Sequence, residues 1–265
     1  VIAIGWQTIR LGSCLGLLWL FSPLLIAWLD RPVPQHPTVR ARDQGFLLHE
    51  AEHIWRYFAE QLTAEHHYLP PDNIQQFPTY EVADRTSPTN IGMALLSCLA
   101  AWELGLAEEE QVTPLLGHML DSIQKLPKWR GHLYNWYHIK TTQPLAPIFV
   151  STVDSGNLCA CLIALSQGLR EKGYSELAEQ AQALADAMEF RPLYDDQRKL
   201  FYIGYDCEQQ DFTPGRYDLM ASEARLASYV AVARGDVPVE HWASLNRSLV
   251  GRRQYCGMVS WTGTM

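Results

Sequence analysis

Helical segments in this chain are joined alternately by short turns and by long loops rich in polar and aromatic residues, and that alternation constrains the fold more than any other feature. Side-by-side helical hairpins collect their short turns at one end and their long loops at the other. The expected fold is therefore all-α, an α/α toroid whose loop-lined end holds a ligand. An irregular helical bundle is the other reading. A repeat array is disfavoured, because no fixed sequence period is present.

The apolar spacing predicts a first helix over 39–65, with Leu47, Ala51, Ile54, Trp55, Phe58 and Leu62 on one face. A loop over 68–86 follows. Ser87 as N-cap and Pro88 at the first helical position open a second helix, which Gly105 stops. Further helices are expected over 109–126, 155–172, 175–188 and 221–233, with Asp154 or Ser155 capping the one that begins at 155. The stretches 199–206 and 211–217 read as a short β-hairpin.

Leu11–Leu29 contains no charged residue and is long enough to cross a bilayer core of roughly 30 Å. Trp19 and Trp28 suit the interfaces, and Arg10, Asp30 and Arg31 flank the run. The organisation expected is a transmembrane helix over 1–30, a Pro-rich linker over 31–38 and a partial toroid domain over 39–265. The chain opens on Val in apolar sequence and closes on SWTGTM without a capped helix, so further sequence is expected at both ends.

Composition narrows the function classes. The net charge of −8 and the lack of a basic cluster argue against nucleic acid as a partner. Six cysteines without a CxxC spacing read as free thiols in a reducing compartment. No GxGxxG, Walker A or GxSxG segment supports nucleotide or serine-hydrolase chemistry. His49-Glu50-Ala51-Glu52-His53 matches HExxH, but helical geometry puts both histidines opposite the apolar stripe, on a solvated face. A zinc peptidase is the remotest reading, and no metal or other cofactor is expected.

The loops carry the chemistry. Pro70 and Pro71 stiffen the chain before Asp72 and Asn73, and Arg85 is placed to orient a carboxylate. Asn90, in the first turn of an apolar helix, calls for a specific partner. Gly131–Tyr137 (GHLYNWY) interleaves aromatic rings with His and Asn. That composition fits a sugar subsite, with rings for C–H faces and amides for hydroxyls, and equally an aromatic mini-core. Asp154 and Asn157 share the start of one helix, and Asp218, Glu223 and Arg225 lie around the start of another, where a salt-bridged helix start is the plainer reading of Glu223 and Arg225. Trp261 stands alone among hydroxyl residues.

Taken in order, LPPDNIQ, RTSPTNIG, GHLYNWY, STVDSGNL, LFYIGYD, YDLMASEARLASY, ARGDVPVEHW and SWTGTM resemble the glucoamylase-like domain of cyclic β-1,2-glucan synthases, large bacterial inner-membrane proteins. The resemblance runs from about residue 40 to 265. It implies the first half of an (α/α)6 toroid that, in the full protein, closes linear β-1,2-glucan into a ring by anomer-retaining transglycosylation. It also implies an upstream glycosyltransferase domain using UDP-glucose, a downstream phosphorylase-like domain, and soluble parts facing the cytoplasm. A retaining mechanism needs two carboxyl groups about 5–5.5 Å apart. The resemblance places that glutamate pair beyond Met265, so no catalytic residue is assigned here and the fragment alone is expected to be inactive. What it carries over is a glucan-binding surface: Asp72, Asn73, Arg85, Asn90, Trp136, Tyr137, Asp154, Asn157, Asp218, Glu223 and Trp261. Trp136 and Tyr137 are expected to stack on glucose rings. The alternative is a non-catalytic glucan-binding or structural module.

Overall fold

The structure, a computed structural model, describes residues 2–29, 40–252 and 255–260. The Pro-rich stretch 31–38 and Trp261 lie outside the described residues. The chain divides into two compact units, Val1–Leu47 and Leu48–Met265.

In the first unit, α1 (Ile2–Leu29) contains the apolar run as one helix with Pro23 inside it. Among the described residues no helix is long and apolar enough to cross a membrane, so the crossing expected of Leu11–Leu29 gains no support from the structure.

Helix α2 (Ala41–Gln61) is shorter than expected. It gives way to a 3-10 turn at Ala64–His66, followed by positive φ angles at His67 and Tyr68. Its apolar face is used only near the C-terminus: Phe58 and Leu62 are buried and Trp55 is half-buried, whereas Leu47 and Ile54 are exposed. His49 and His53 are exposed, with ring centroids 4.2 Å apart. No group of three or more metal-ligating side chains occurs among the described residues.

The hairpin strands β1 (Ile74–Gln75) and β2 (Glu81–Val82) follow, then β3 (Arg85–Thr86). Helix α3 (Pro88–Glu103) begins as expected, with Ser87 Oγ accepting from Asn90 N at 3.2 Å, and α4 (Glu109–Lys125) returns from it. The long loop after α4 carries β4 (Lys128–Trp129), β5 (His132–Leu133), β6 (Tyr137–His138) and β7 (Phe149–Ser151). Strands β3 and β6 pair through Arg85–His138 and Thr86–Tyr137, which brings the two long loops together.

Helix α5 (Thr152–Glu171) starts earlier than expected. Ser151, not Asp154 or Ser155, is the N-cap, its Oγ accepting from Asp154 N at 3.2 Å. After α6 (Ser175–Asp186) come β8 (Tyr194–Asp195), β9 (Leu200–Tyr202), β10 (Gly204–Asp206), β11 (Asp211–Phe212) and β12 (Arg216–Tyr217). These are not the single hairpin expected. Strand β9 lies between β8 and β12, whereas β10 lies between β11 and the distant β7. The chain changes sheets at Ile203, and Thr152 secures the junction by donating from N to Ile203 O and from Oγ to Tyr202 O.

Helix α7 (Arg225–Ala233) starts later than expected, because Leu219 and Ala221 form bridges to Asn246 and Ser260. Helix α8 (Glu240–Ser244) and the hairpin β13 (Leu249–Arg252) and β14 (Tyr255–Met258) complete the described elements.

Helix α5 packs against α3, α6 and α7, while α4 joins α3 to α6 and α8 covers α7. The starts of α3, α5 and α7 lie close together, with Thr89 in the first turn of α3 bonded to Asp154 and Asn157 of α5. Gly156 of α5 meets the start of α7: a Cβ there would lie 2.4 Å from Ala227 Cα. The positive dipole ends of these helix starts lie among the loops, while several of their first N–H groups are already taken: Asn90 N by Ser87 Oγ, Asp154 N by Ser151 Oγ and Thr152 N by Ile203 O.

Candidate binding site at the loop-lined face

The first cluster is built on Asp72. Arg85 donates to Asp72 Oδ2 from Nε at 3.3 Å and Nη2 at 3.0 Å, and Asn73 Nδ2 donates to the same oxygen at 2.9 Å. Asn90 Nδ2 reaches Oδ1 at 3.0 Å, which gives this helix-start amide its partner. Tyr57 braces the segment by donating to Pro71 O at 2.6 Å. Burial, and then the charge of Asp72, push its phenol up to about 12. Both oxygens of Asp72 are engaged, so this carboxylate holds other groups in place. The amide oxygens of Asn73 and Asn90 have no donor among the described residues.

The second cluster is built on Asp154. Thr89 donates to Asp154 Oδ1 at 2.6 Å and accepts from Asn157 Nδ2 at 3.0 Å. Asn135, its amide turned as its neighbours dictate, donates to Asp154 Oδ2 at 3.0 Å and accepts from Trp136 Nε1 at 2.9 Å. The Trp136 ring lies under the Arg85 guanidinium, 4.4 Å from the ring centroid. Asp72, Arg85, Trp136, Asn135, Asp154, Thr89 and Asn157 thus form one continuous chain of contacts. Among the described residues no cation pairs with Asp154. Neutral donors and the N-terminal end of α5 hold it.

Tyr217 lies near enough to both Asp154 and Glu223 to feel their charges. Its ring is buried, and its phenol is pushed up to about 12, first by burial and then by the charges of Glu223 and Asp154. Glu223 itself is exposed and shares with Asn157, Arg225, Tyr229 and Trp242 the wall of a cavity of about 460 Å³. A second cavity, of about 360 Å³, lies beside Asp72 and Asn90, with Tyr57, Pro71 and Met93 among its walls.

Two expected site residues stand apart. Tyr137 is 0% exposed, and its hydroxyl donates to Pro127 O at 2.6 Å while accepting from Tyr134 N at 2.8 Å. It is a core residue and cannot stack on a sugar. Asp218 is exposed; its main-chain carbonyl accepts from Asn246 N, and its carboxylate joins neither cluster. The motif GHLYNWY is therefore divided: His132, Leu133 and Tyr137 are core, while Asn135 and Trp136 join the contacts between Asp154 and Arg85. Sequence reasoning passed over Thr89 and Asn135 as site residues. Their signals were the position of Thr89 in the first turn of α3 and the contact of Asn135 with Trp136 in sequence.

No protein-family model matches the chain. Over 96% of its length the chain is 28% identical to Cyclic beta-(1,2)-glucan synthase NdvB of Rhizobium meliloti (strain 1021), of which it spans 14%. The resemblance read from the eight segments thus holds across nearly the whole sequence. Among solved structures, one match is a protein assigned as a glucoamylase from Bacteroides fragilis NCTC 9343, with TM-score 0.68, 14% identity, and coverage of 88% of this chain and 58% of that one. Another is the endo-β-1,2-glucanase from Chitinophaga pinensis in complex with sophorotriose and glucose, with TM-score 0.61, 14% identity, and coverage of 79% and 55%. At these identities the structures establish the fold: a helix-rich, glucoamylase-like α/α toroid architecture.

Proposed function

We propose that this chain is the glucan-binding part of a cyclic β-1,2-glucan synthase and takes linear β-1,2-glucan at the loop-lined face. The observation that carries the reading is the setting of Asp154, a half-buried carboxylate held by Thr89 and Asn135 and connected through Asn135 to the indole of Trp136. Acceptors backed by neutral donors, next to an aromatic ring, suit a neutral ligand rich in hydroxyl groups and C–H faces. The similarity to NdvB supports β-1,2-glucan as that ligand. In the full protein the domain would close the glucan by anomer-retaining transglycosylation, alongside the UDP-glucose-dependent and phosphorylase-like domains.

Attachment to the bacterial inner membrane, with the soluble part in the cytoplasm, belongs to the same proposal. Its support is the uncharged run Leu11–Leu29, whose described leucines and tryptophans are exposed around the helix. Alkaline extraction of membranes should leave the chain in the pellet, and its release would remove this part.

Calorimetric titration tests the binding. Linear β-1,2-glucan should bind in preference to a β-1,3-linked glucan. Trp136→Ala should weaken binding roughly tenfold, for the loss of about 1.4 kcal/mol of stacking, with an unchanged circular dichroism spectrum. Equal affinity for the two glucans would reject β-1,2 selectivity, and unchanged affinity in the variant would reject stacking at Trp136.

A further inference from the structure

The hairpin between Asp72 and Arg85 carries two aromatic rings that the site as described does not use. Strands β1 and β2 pair Ile74 with Val82 and Gln75 with Glu81. Below them Ala83 N donates to Asn73 O at 3.0 Å, and Asp72 N donates to Arg85 O at 2.8 Å. The ladder therefore ends on the two residues whose side chains form the ion pair. At its other end Gln75 Nε2 braces the tip by donating to Thr79 O at 3.3 Å. Residues 76–80 are all exposed, Phe77 at 87% and Tyr80 at 66%. No other large hydrophobic side chain among those described is as exposed as Phe77.

A single exposed apolar side chain is ordinary. Here two aromatic rings share one short tip on a ladder tied to the site, and Ile74 and Gln76 of the same hairpin line the cavity beside Asp72 and Asn90. Residues 73–84 include Glu81 and Asp84 and no Lys or Arg, so the hairpin carries no cation to attract an anionic ligand. Flat rings without cationic neighbours fit the C–H faces of neutral pyranose rings.

We propose that Phe77 and Tyr80 form an outer stacking platform for glucosyl units of the same glucan chain that occupies the cavity beside Asp72. The proposal rests on the β-1,2-glucan reading above and extends it. From Asp72 to the tip, five residues at about 3.3 Å each place the platform roughly 16 Å along the hairpin. It serves units beyond those that the cavity holds and adds nothing for a ligand that ends within the cavity, whose wall already includes Gln76, the neighbour of Phe77.

The test is calorimetric titration of the whole chain and its Phe77→Ala/Tyr80→Ala variant with a short β-1,2-linked oligosaccharide and with long linear β-1,2-glucan. Both side chains are exposed, so the variant should keep the parent circular dichroism spectrum. Affinity for the long glucan should fall roughly tenfold, from the loss of two stacking contacts, while affinity for the short one is unchanged. A Phe77→Trp/Tyr80→Phe variant should restore long-glucan binding. Unchanged affinity for the long glucan, or an equal loss for both lengths, overturns the platform and leaves the parent reading standing. A change of oligomeric state by light scattering overturns it too, in favour of a protein contact. If the parent chain binds neither glucan, the β-1,2-glucan reading falls and the platform falls with it.

Discussion

Thr89 donates its hydroxyl to Asp154 at 2.6 Å and so joins the first turn of α3 to the first turn of α5. The same oxygen accepts from Asn157, which makes it both donor and acceptor at the point where two packed helices begin. Without it, one carboxylate oxygen and one amide lose their partners together.

Thr89→Val keeps the shape and removes the hydroxyl. Leaving part-buried polar groups unmatched costs about 1–3 kcal/mol, to be read from urea unfolding midpoints. Glucan affinity should fall as Asp154 loses its position, and Thr89→Ser should restore both quantities. Identical behaviour of the Val and Ser variants would show that the hydroxyl is idle.

Tyr137→Phe separates core from site. The change strands Pro127 O and Tyr134 N, both served by the Tyr137 hydroxyl. Stability should drop by about 1–3 kcal/mol in denaturant unfolding, with glucan affinity retained. A selective loss of affinity at full stability would return Tyr137 to the binding surface.

Gly156→Ala sets two effects against each other. Helix propensity favours Ala over Gly by about 1 kcal/mol in a helix interior. Against this, the new methyl would lie 2.2 Å from Ala227 Cβ and 2.9 Å from Ala227 N, and backbone cannot rotate away. Overpacking of this kind costs about 1–3 kcal/mol or more, so the clash should win. Thermal unfolding should show a lower midpoint, and a raised one would mean that α7 moves aside freely.

Acid should destabilise the fold through two buried histidines. Burial lowers His132 from its ordinary value to about 4, and it also lowers His241, whose imidazole contacts Ser228 Oγ and Lys199 O. For a lowered histidine, the unfolded chain binds a proton that the folded chain refuses. The stabilisation is complete above about pH 6.5 and is lost as pH falls toward the folded value. From pH 6.5 to 5, His132 alone accounts for about 2 kcal/mol, at about 1.4 kcal/mol per pH unit. Urea midpoints should fall over that interval. An NMR titration that finds His132 protonating near pH 6.5 would contradict the assignment.

Features governed by neighbouring residues were legible in the sequence. Ser87, Pro88 and Gly105 bound α3 because caps and positive-φ stops act within a few residues. Features governed by distant partners were hidden. Strand β10 pairs with β7 across more than fifty positions of chain, so 199–217 resembled one hairpin when read locally. In STVDS three residues compete to cap one helix, and the choice of Ser151 was fixed by β7 ending there. Trp136 and Tyr137 are adjacent aromatics with opposite fates, since the pairing of β6 with β3 turns one inward while Arg85 covers the other. The family resemblance supplied the candidate residues, and the fold decided which of them meet.

The hairpin that rises from Asp72 and Arg85 is fixed at its foot and free at its crown. Residues can be inserted, deleted or exchanged at the crown without disturbing the ion pair below, because no contact of the Asp72 cluster passes through 76–80. On the glucan reading proposed above, changing this arm in length or aromatic content would leave the Asp72 cluster in place. On that reading, polymer-length preference could change at the crown while the ion pair at the foot stays as it is.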